Sequence, residues 1–541
     1  MRPRKNPYDP KAEGTTVSAA PARLPLRIAL LPLDERPACS RLPAQIAAVA
    51  GARTLLPPAE LMPRLREPGD ADALGTWLAG AARDADAAVV SLETLGHGGL
   101  IASRTQPSPV AEVAARWQTL DRIAASGTPV HAVTLITRTP DSDDAMEEPE
   151  YWDPHGPALH RLSAELHRGE QPQTRRAEQL ADARQAVPAA VRSDFLRRRV
   201  RNHALNLTAL ELAASGVLDS LVVGADDTAP RAVATAELQQ LQLWRSRLEV
   251  EDRVSVRPGA DEATATLVAR TVLGLLGSRP VTVRIEAVDP NGLARTAPYE
   301  NIPVGRTAAG QVMACGATVQ EGPDPDLYLL VHTPDGAGDW AVGPPLHRPE
   351  EAVRTAQSLA DRAAGLLRAG RAVAVADCAQ PNGADPLLAG ALLRTGLAHL
   401  LTSYAGWNTA GNTLGTAVAH AVTAVAARRV GRFDERAHLD LLAHRFVEDF
   451  GYMTRIRPRI RAAVGSVPGR HDHVPDGSPV LDLLAAGLAQ CAEELPGFRA
   501  RILPGSVRLP WRRTFEADFD VSSGPVPAGT APTSTTAEET R

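Results

Sequence analysis

The chain has 541 residues, 44% of them hydrophobic, with a formal net charge of −5 and a pI of about 6.3. That is enough apolar material for one large domain and a smaller one, and the mild acidity gives no electrostatic support for a nucleic-acid partner. No apolar run approaches the ~20 residues of a membrane span, and Cys39, Cys315, Cys378 and Cys491 are too scattered for a disulfide framework or a zinc site.

Residues 1–23 are polar and Pro-rich and lack the apolar core of a signal peptide, which predicts a disordered tail on a soluble, cytoplasmic protein. Apolar strand-like runs then follow at 27–33, 87–92, 130–136, 220–224, 253–257, 327–332, 371–376 and 399–404. Amphipathic stretches lie between most of them: 71–83, for example, sets Leu74, Trp77, Leu78 and Ala81 on one helical face. Eight strands alternating with helices predict an α/β fold, a (β/α)8 TIM-barrel-like core over 24–429. On this reading 139–205 is a lid-like insertion, 280–320 a second insertion, 430–521 a mostly helical C-terminal region ending in a strand-like run at 506–511, and 522–541 a disordered tail. Further strand-like runs at 53–57 and 280–286 would raise the count to ten and favour two doubly wound parallel sheets instead.

The strands end in clusters of polar residues, where α/β folds place ligands and catalysis. The pair Asp226 and Asp227 is the leading catalytic candidate. Two adjacent carboxylates cannot both ionise cheaply, so one stays protonated and can serve as a general acid beside a charged partner. Adjacent strand residues face opposite ways, so the pair converges only if the strand turns, which Gly224 permits. The alternative is that one Asp caps the next helix. Asp34, Glu35 and Arg36 follow the first strand, with Arg36 suited to a bidentate grip on a substrate oxygen or to an internal ion pair. His97, between glycines, is a candidate pocket-lining donor, and Arg104 a candidate anion contact. Asp261 and Glu262 could bind sugar hydroxyls, although Asp261 is also placed to cap a helix. Asp377 and Asn382 follow the seventh strand, and Trp407 and Asn408 the eighth, where a Trp face and amides suit carbohydrate. A metal at Asp34, Asp226, Asp227, His332 and Asp377 is conceivable, but no ligand spacing supports it, and no cofactor is predicted.

Several of these segments together resemble one family: LPLDERP at 31–37, GGLIASR at 98–104, RTP at 138–140, ADD at 225–227, PGADE at 258–262, NGAD at 382–385, YAGWNTAGNT at 404–413 and LPWRRTFE at 509–516. The resemblance, over about 26–520, is to the bacterial domain of unknown function 4127, which implies a family but no activity. Gly224 and Ala225 depart from it, standing where bulkier or amide residues are expected. A weaker architectural likeness, through the Asp pair, the acidic turn at 259–262 and Trp407-Asn408, is to O-GlcNAcase-type hexosaminidases. The expectation is a hydrolase, a glycosidase with N-acetylhexosaminidase-like character, acting on a small-molecule or carbohydrate substrate through paired carboxylates. The alternatives are a metal-assisted hydrolase and a non-catalytic sugar-binding protein.

Overall fold

A computed structural model describes residues 25–168, 174–345, 349–467 and 470–524. The tail expected at 1–23, and that at 522–541 beyond residue 524, lie outside the described residues.

The strands divide into two open sheets rather than one ring. The first holds β1 (Arg27–Leu31), β2 (Arg53–Leu55), β3 (Ala87–Ser91), β4 (Val130–Ile136), β5 (Ser220–Ala225) and β6 (Val254–Pro258), in the order β2-β1-β3-β4-β5-β6. The second holds β7 (Thr282–Glu286), β8 (Thr318–Val319), β9 (Leu327–His332), β10 (Val373–Asp377) and β11 (Ser403–Ala405), in the order β11-β10-β9-β7-β8. Every pairing in both sheets is parallel. The expected closed barrel is therefore not formed, and the doubly wound alternative fits. Each sheet begins with the same reversal, its second strand lying outside its first and its third on the other side. Segment 280–320, expected as an insertion, supplies β7 and β8 and so founds the second sheet. The run at 53–57 is the edge strand β2. The run at 506–511 is no strand: Arg508 makes one bridge to Asp518, and Trp511 has φ 53°.

Burial on both faces explains the near-continuous apolar runs of these strands. Along β1, Ile28 and Leu30 enter one apolar cluster while Ala29 and Leu31 enter another. Along β10, Ala374 and Ala376 join the cluster of Ile28, and Val373 and Val375 enter a third. The shared cluster is a helical layer between the sheets, built from helices Arg41–Val49, Ala263–Leu275, Val304–Ala314 and Ala410–Arg429. In the last of these every residue from Ala410 to Ala427 is buried. Its alanines, glycines and threonines give a slim cylinder that fits between two sheets, where an amphipathic helix would leave polar groups stranded.

The excursion after β4 has two parts. Its loop, residues 137–151, turns toward the carboxyl ends of the strands, while the long helix Ala189–Ala214 packs on β4 and β5 and carries the chain into β5. The C-terminal region contributes helices Glu435–Arg445 and Val480–Glu493, an 11-residue π-helix Phe446–Ile456, and the hairpin Ala500–Ile502 with Val521–Ser523. It packs on the outer face of the second sheet. Among the described residues, no helix is long and apolar enough to cross a membrane.

Candidate active site

The carboxyl ends of strands from both sheets open into one cavity of about 150 Å³. Of the residues singled out in the sequence, Arg36, Arg104, Asp226, Asp227, Asp261, Asn382 and Asn408 line it. They come from the segments after β1, β3, β5, β6, β10 and β11, so the two sheets build the site jointly.

Asp226 and Asp227 follow Ala225, the last residue of β5. Asp227 adopts φ 35°, a left-handed conformation uncommon for a residue with a side chain. This turn breaks the strand's alternation and lets both carboxylates reach the cavity. Tyr299 (φ 65°), Asn382 (φ 62°) and Asn408 (φ 62°) also line the cavity in left-handed conformations. Backbone of this kind costs free energy and concentrates at functional sites.

Arginines tie down each acid. Arg104 Nη2 lies 2.5 Å from Asp226 Oδ2, and Arg138 Nη1 3.0 Å from Asp227 Oδ2. Arg36 lies 2.7 Å from Asp34 and 2.6 Å from Asp261, and Asn408 donates to Asp261 at 3.3 Å. Burial first, and then the charge of Asp226, push Asp227 up to about 6 against the pull of Arg138 and Arg104. Burial alone would raise Glu147 too, but Arg513, Arg138, His471 and Arg104 outweigh it and hold Glu147 well below the usual carboxylate range. Burial pushes Glu516, behind Arg513, up to about 8.

The other expected residues sit elsewhere. Asp34 stands behind Arg36, outside the cavity wall. Glu35 accepts the N–H of Leu65 at 3.0 Å and the indole N–H of Trp511, so it fastens the C-terminal segment. His97 does not line the cavity; it is buried, and desolvation with Arg201 and Arg116 lowers it to about 3, which leaves it neutral near pH 7 and unsuited to shuttling protons there. Glu262 is buried against Arg257 at 2.6 Å and Gln311 at 2.7 Å. Asp377 accepts from His332 at 3.0 Å and from the Asp385 N–H at 2.7 Å, inside the second sheet. Trp407 is buried edge-on to Phe515, and it is Phe515 that reaches the cavity. The metal set conceived from sequence is dispersed by these arginine and histidine pairings, and no cluster of three or more His, Cys, Asp or Glu among the described residues could hold an ion.

Sequence reasoning missed Arg138, Glu147, Tyr299, His471, Arg513 and Phe515 as cavity residues. Arg138 and Arg513 lay within conspicuous motifs, but nothing local showed that residues 375 positions apart would meet over Glu147.

A second chamber of about 420 Å³ adjoins the first and shares Arg138, Asp227, Tyr299, His471, Arg513 and Phe515 with it. Asp227 therefore stands at the junction of the small chamber at the strand ends, here the inner one, and the larger chamber walled by residues from segments 138–144 and 457–472, here the outer one.

The profile of a family described as "Protein of unknown function (DUF4127)" matches residues 28–520. No curated protein and no solved structure matches the chain. Because the match takes in every residue that lines the inner chamber, from Arg36 to Phe515, and nearly the whole chain, the protein belongs to the DUF4127 family.

Proposed function

We propose that the protein is a hydrolase that cleaves a glycosidic bond, with Asp227 as general acid and Asp226 as its charged partner. The observation that carries this reading is the place of Asp227: a carboxyl group pushed up to about 6, next to an arginine-held carboxylate, at the junction of two chambers. A sugar ring in the inner chamber and a leaving group in the outer one would set the bond between them beside Asp227. The Asp227 carboxyl gives its proton to the glycosidic oxygen as the carbon–oxygen bond breaks. Water then adds to the anomeric carbon, and its proton returns to the carboxylate. Asn382 and Asn408 are suited to sugar hydroxyls, and Phe515 to the apolar face of a ring. Asp226 is placed either to balance developing positive charge or, in a substrate-assisted route, to orient an acetamido group. This route uses protein side chains and water alone.

The rival is non-catalytic sugar binding, favoured by the arginine that pairs with each acid of the inner chamber. A screen of aryl N-acetylhexosaminides and plain aryl hexosides separates the two. Release of the aryl alcohol, lost in Asp227→Asn, is the expected result. Saturable binding of sugars with no turnover by the wild type would establish the rival.

A further inference from the structure

Arg457, at the wall of the outer chamber, is buried, with only 5% of its surface exposed, and begins the helix that follows the π-helix. Its Nε and Nη1 are buried without a hydrogen-bond partner. No carboxylate oxygen among the described residues comes within 4.0 Å of its nitrogens. The ring of Phe515 lies 5.5 Å from its guanidinium carbon, and the groups whose charge acts on it from farther off are Tyr452, Arg461, Asp472 and Asp339. The acids that act on it are held by other groups: Asp339 accepts from the Tyr299 hydroxyl at 2.6 Å and from Asn382 at 2.8 Å, and Asp472 Oδ2 accepts from Thr514 and faces Arg461 at 3.3 Å, its buried Oδ1 having no hydrogen-bond partner. A buried guanidinium left without a partner is costly, and such groups are normally paired. Arg461 and Arg138 line the same chamber.

We infer that the outer chamber is an oxyanion subsite, in which Arg457 receives a carboxylate or phosphate carried by the ligand. The guanidinium fork matches either group, and its weak hydration favours ion pairs in closed sites. Resting on the glycosidase reading, this assigns the anionic group to the leaving-group side of the substrate, on the far side of Asp227 from the inner chamber. The burial that lowers Arg457 to about 10 leaves it charged at neutral pH.

The test is binding to the full chain, which does not depend on turnover. Inorganic phosphate, glucuronate and neutral glucose are titrated by calorimetry and by thermal shift against the wild type, Arg457→Met and Arg457→Lys. Phosphate or glucuronate should raise the melting temperature of the wild type more than that of Arg457→Met, whereas any shift from glucose, seated in the inner chamber, should be the same in both; which anion binds more tightly identifies the group. Arg457→Met should weaken that anion's Kd at least tenfold while the unliganded melting temperature holds or rises, because an unpaired buried charge has gone. Arg457→Lys should bind with intermediate affinity. Neither anion binding the wild type overturns the inference. So does a Met variant that binds unchanged, or one that melts lower with its anion affinity intact, which would make Arg457 a structural residue. Anion binding without hydrolysis of any glycoside would retain the subsite and remove the glycosidase reading instead.

Discussion

Asp226 and Asp227 are neighbours in the chain, yet a different arginine grips each: Arg104 holds Asp226 at 2.5 Å, and Arg138 holds Asp227 at 3.0 Å. Both arginines then meet again on Glu147 and Glu148. The loop that carries these glutamates, after β4, thus serves as a common anchor under the acid pair. Glu147 is the firm member of that anchor, since Arg513 and His471 reach it as well.

The two aspartates should differ as structural residues. The Asp226 side chain keeps 10% of its surface exposed and that of Asp227 27%. Asp226→Asn removes the nearest of the three carboxylates around a buried Arg104 and should cost about 1–3 kcal/mol. Relief of the like-charge repulsion is common to both variants, but Asp227→Asn weakens one ion pair at a more exposed position, so it should cost less. Urea denaturation at pH 7 of the two variants checks the ranking, and equal losses would count against it.

Gly224 illustrates a requirement set by the partner strand. A Cβ there would lie 2.4 Å from the carbonyl oxygen of Gly259 and 2.9 Å from Leu135. The Gly259 N–H donates to the Ala225 carbonyl at 3.0 Å, so that backbone has little freedom to retreat. Gly224→Ala should therefore destabilise by about 1–3 kcal/mol, as overpacking does. It should also impair the site, because β5 delivers Asp226 and Asp227. A melting temperature within a degree of wild type would show that the loop after β6 yields freely.

Much of the site was legible because strand ends in α/β folds gather polar residues, and Arg36, Asp226, Asp227, Asp261, Asn382 and Asn408 do meet. The architecture was harder to read. Apolar runs such as 27–33 and 371–376 announce buried parallel strands, but the same runs suit a closed ring or two open sheets. Only pairing decides, and the order of β7, β8 and β9 is set by partners 36 and 44 residues apart in the chain. His97, Trp407 and Asp377 were misplaced for a related reason. A polar or aromatic residue near a strand end looks the same in sequence whether it faces the ligand or packs one layer behind it.

Glu300 predicts a pH effect on stability. It is buried, its Oε1 accepts the Gly411 N–H at 2.7 Å, and its Oε2 has no partner. Burial chiefly raises it to about 8, from an ordinary value of 4.5. A carboxyl group raised on folding favours the folded state while it is protonated there. That contribution is complete below about 4.5 and is lost as pH climbs through about 8. With about 1.4 kcal/mol for each unit, the loss is on the order of a few kcal/mol. Glu300→Gln should remove this slope, making the variant more stable than wild type at pH 9 by more than at pH 5. Parallel stability profiles for the two proteins between pH 5 and 9 would refute the assignment.

Chelation should change nothing. Asp34, Asp226 and Asp227 are each paired with an arginine, and His332 and Asp377 with each other. Treatment with a strong chelator should leave the melting temperature and any glycoside hydrolysis unaltered. Stoichiometric divalent metal in the purified protein, lost together with activity, would show that the acids rearrange to hold an ion.

The sharpest prediction joins Arg138, Asp226 and the pH dependence of hydrolysis. If Asp227 is the general acid, kcat/KM should fall as pH rises through about 6, because the proton it must donate is gone. The neighbours act on that value with opposite signs: Asp226 raises it by like-charge repulsion, and Arg138 lowers it by attraction. Asp226→Asn should therefore move the falling limb to lower pH. Arg138→Gln should move it to higher pH, since the charged form of Asp227 loses its nearest cation. Both variants will also lose rate, Asp226→Asn by roughly 10²-fold or more if it balances charge in the transition state. The direction of each shift does not depend on how much rate remains, and general damage to the site would not push the two limbs apart. A wild-type profile that is flat between pH 5 and 8, or two variants whose limbs move the same way, would remove Asp227 as the acid and turn the search to Glu516, which burial also holds high beside Arg513.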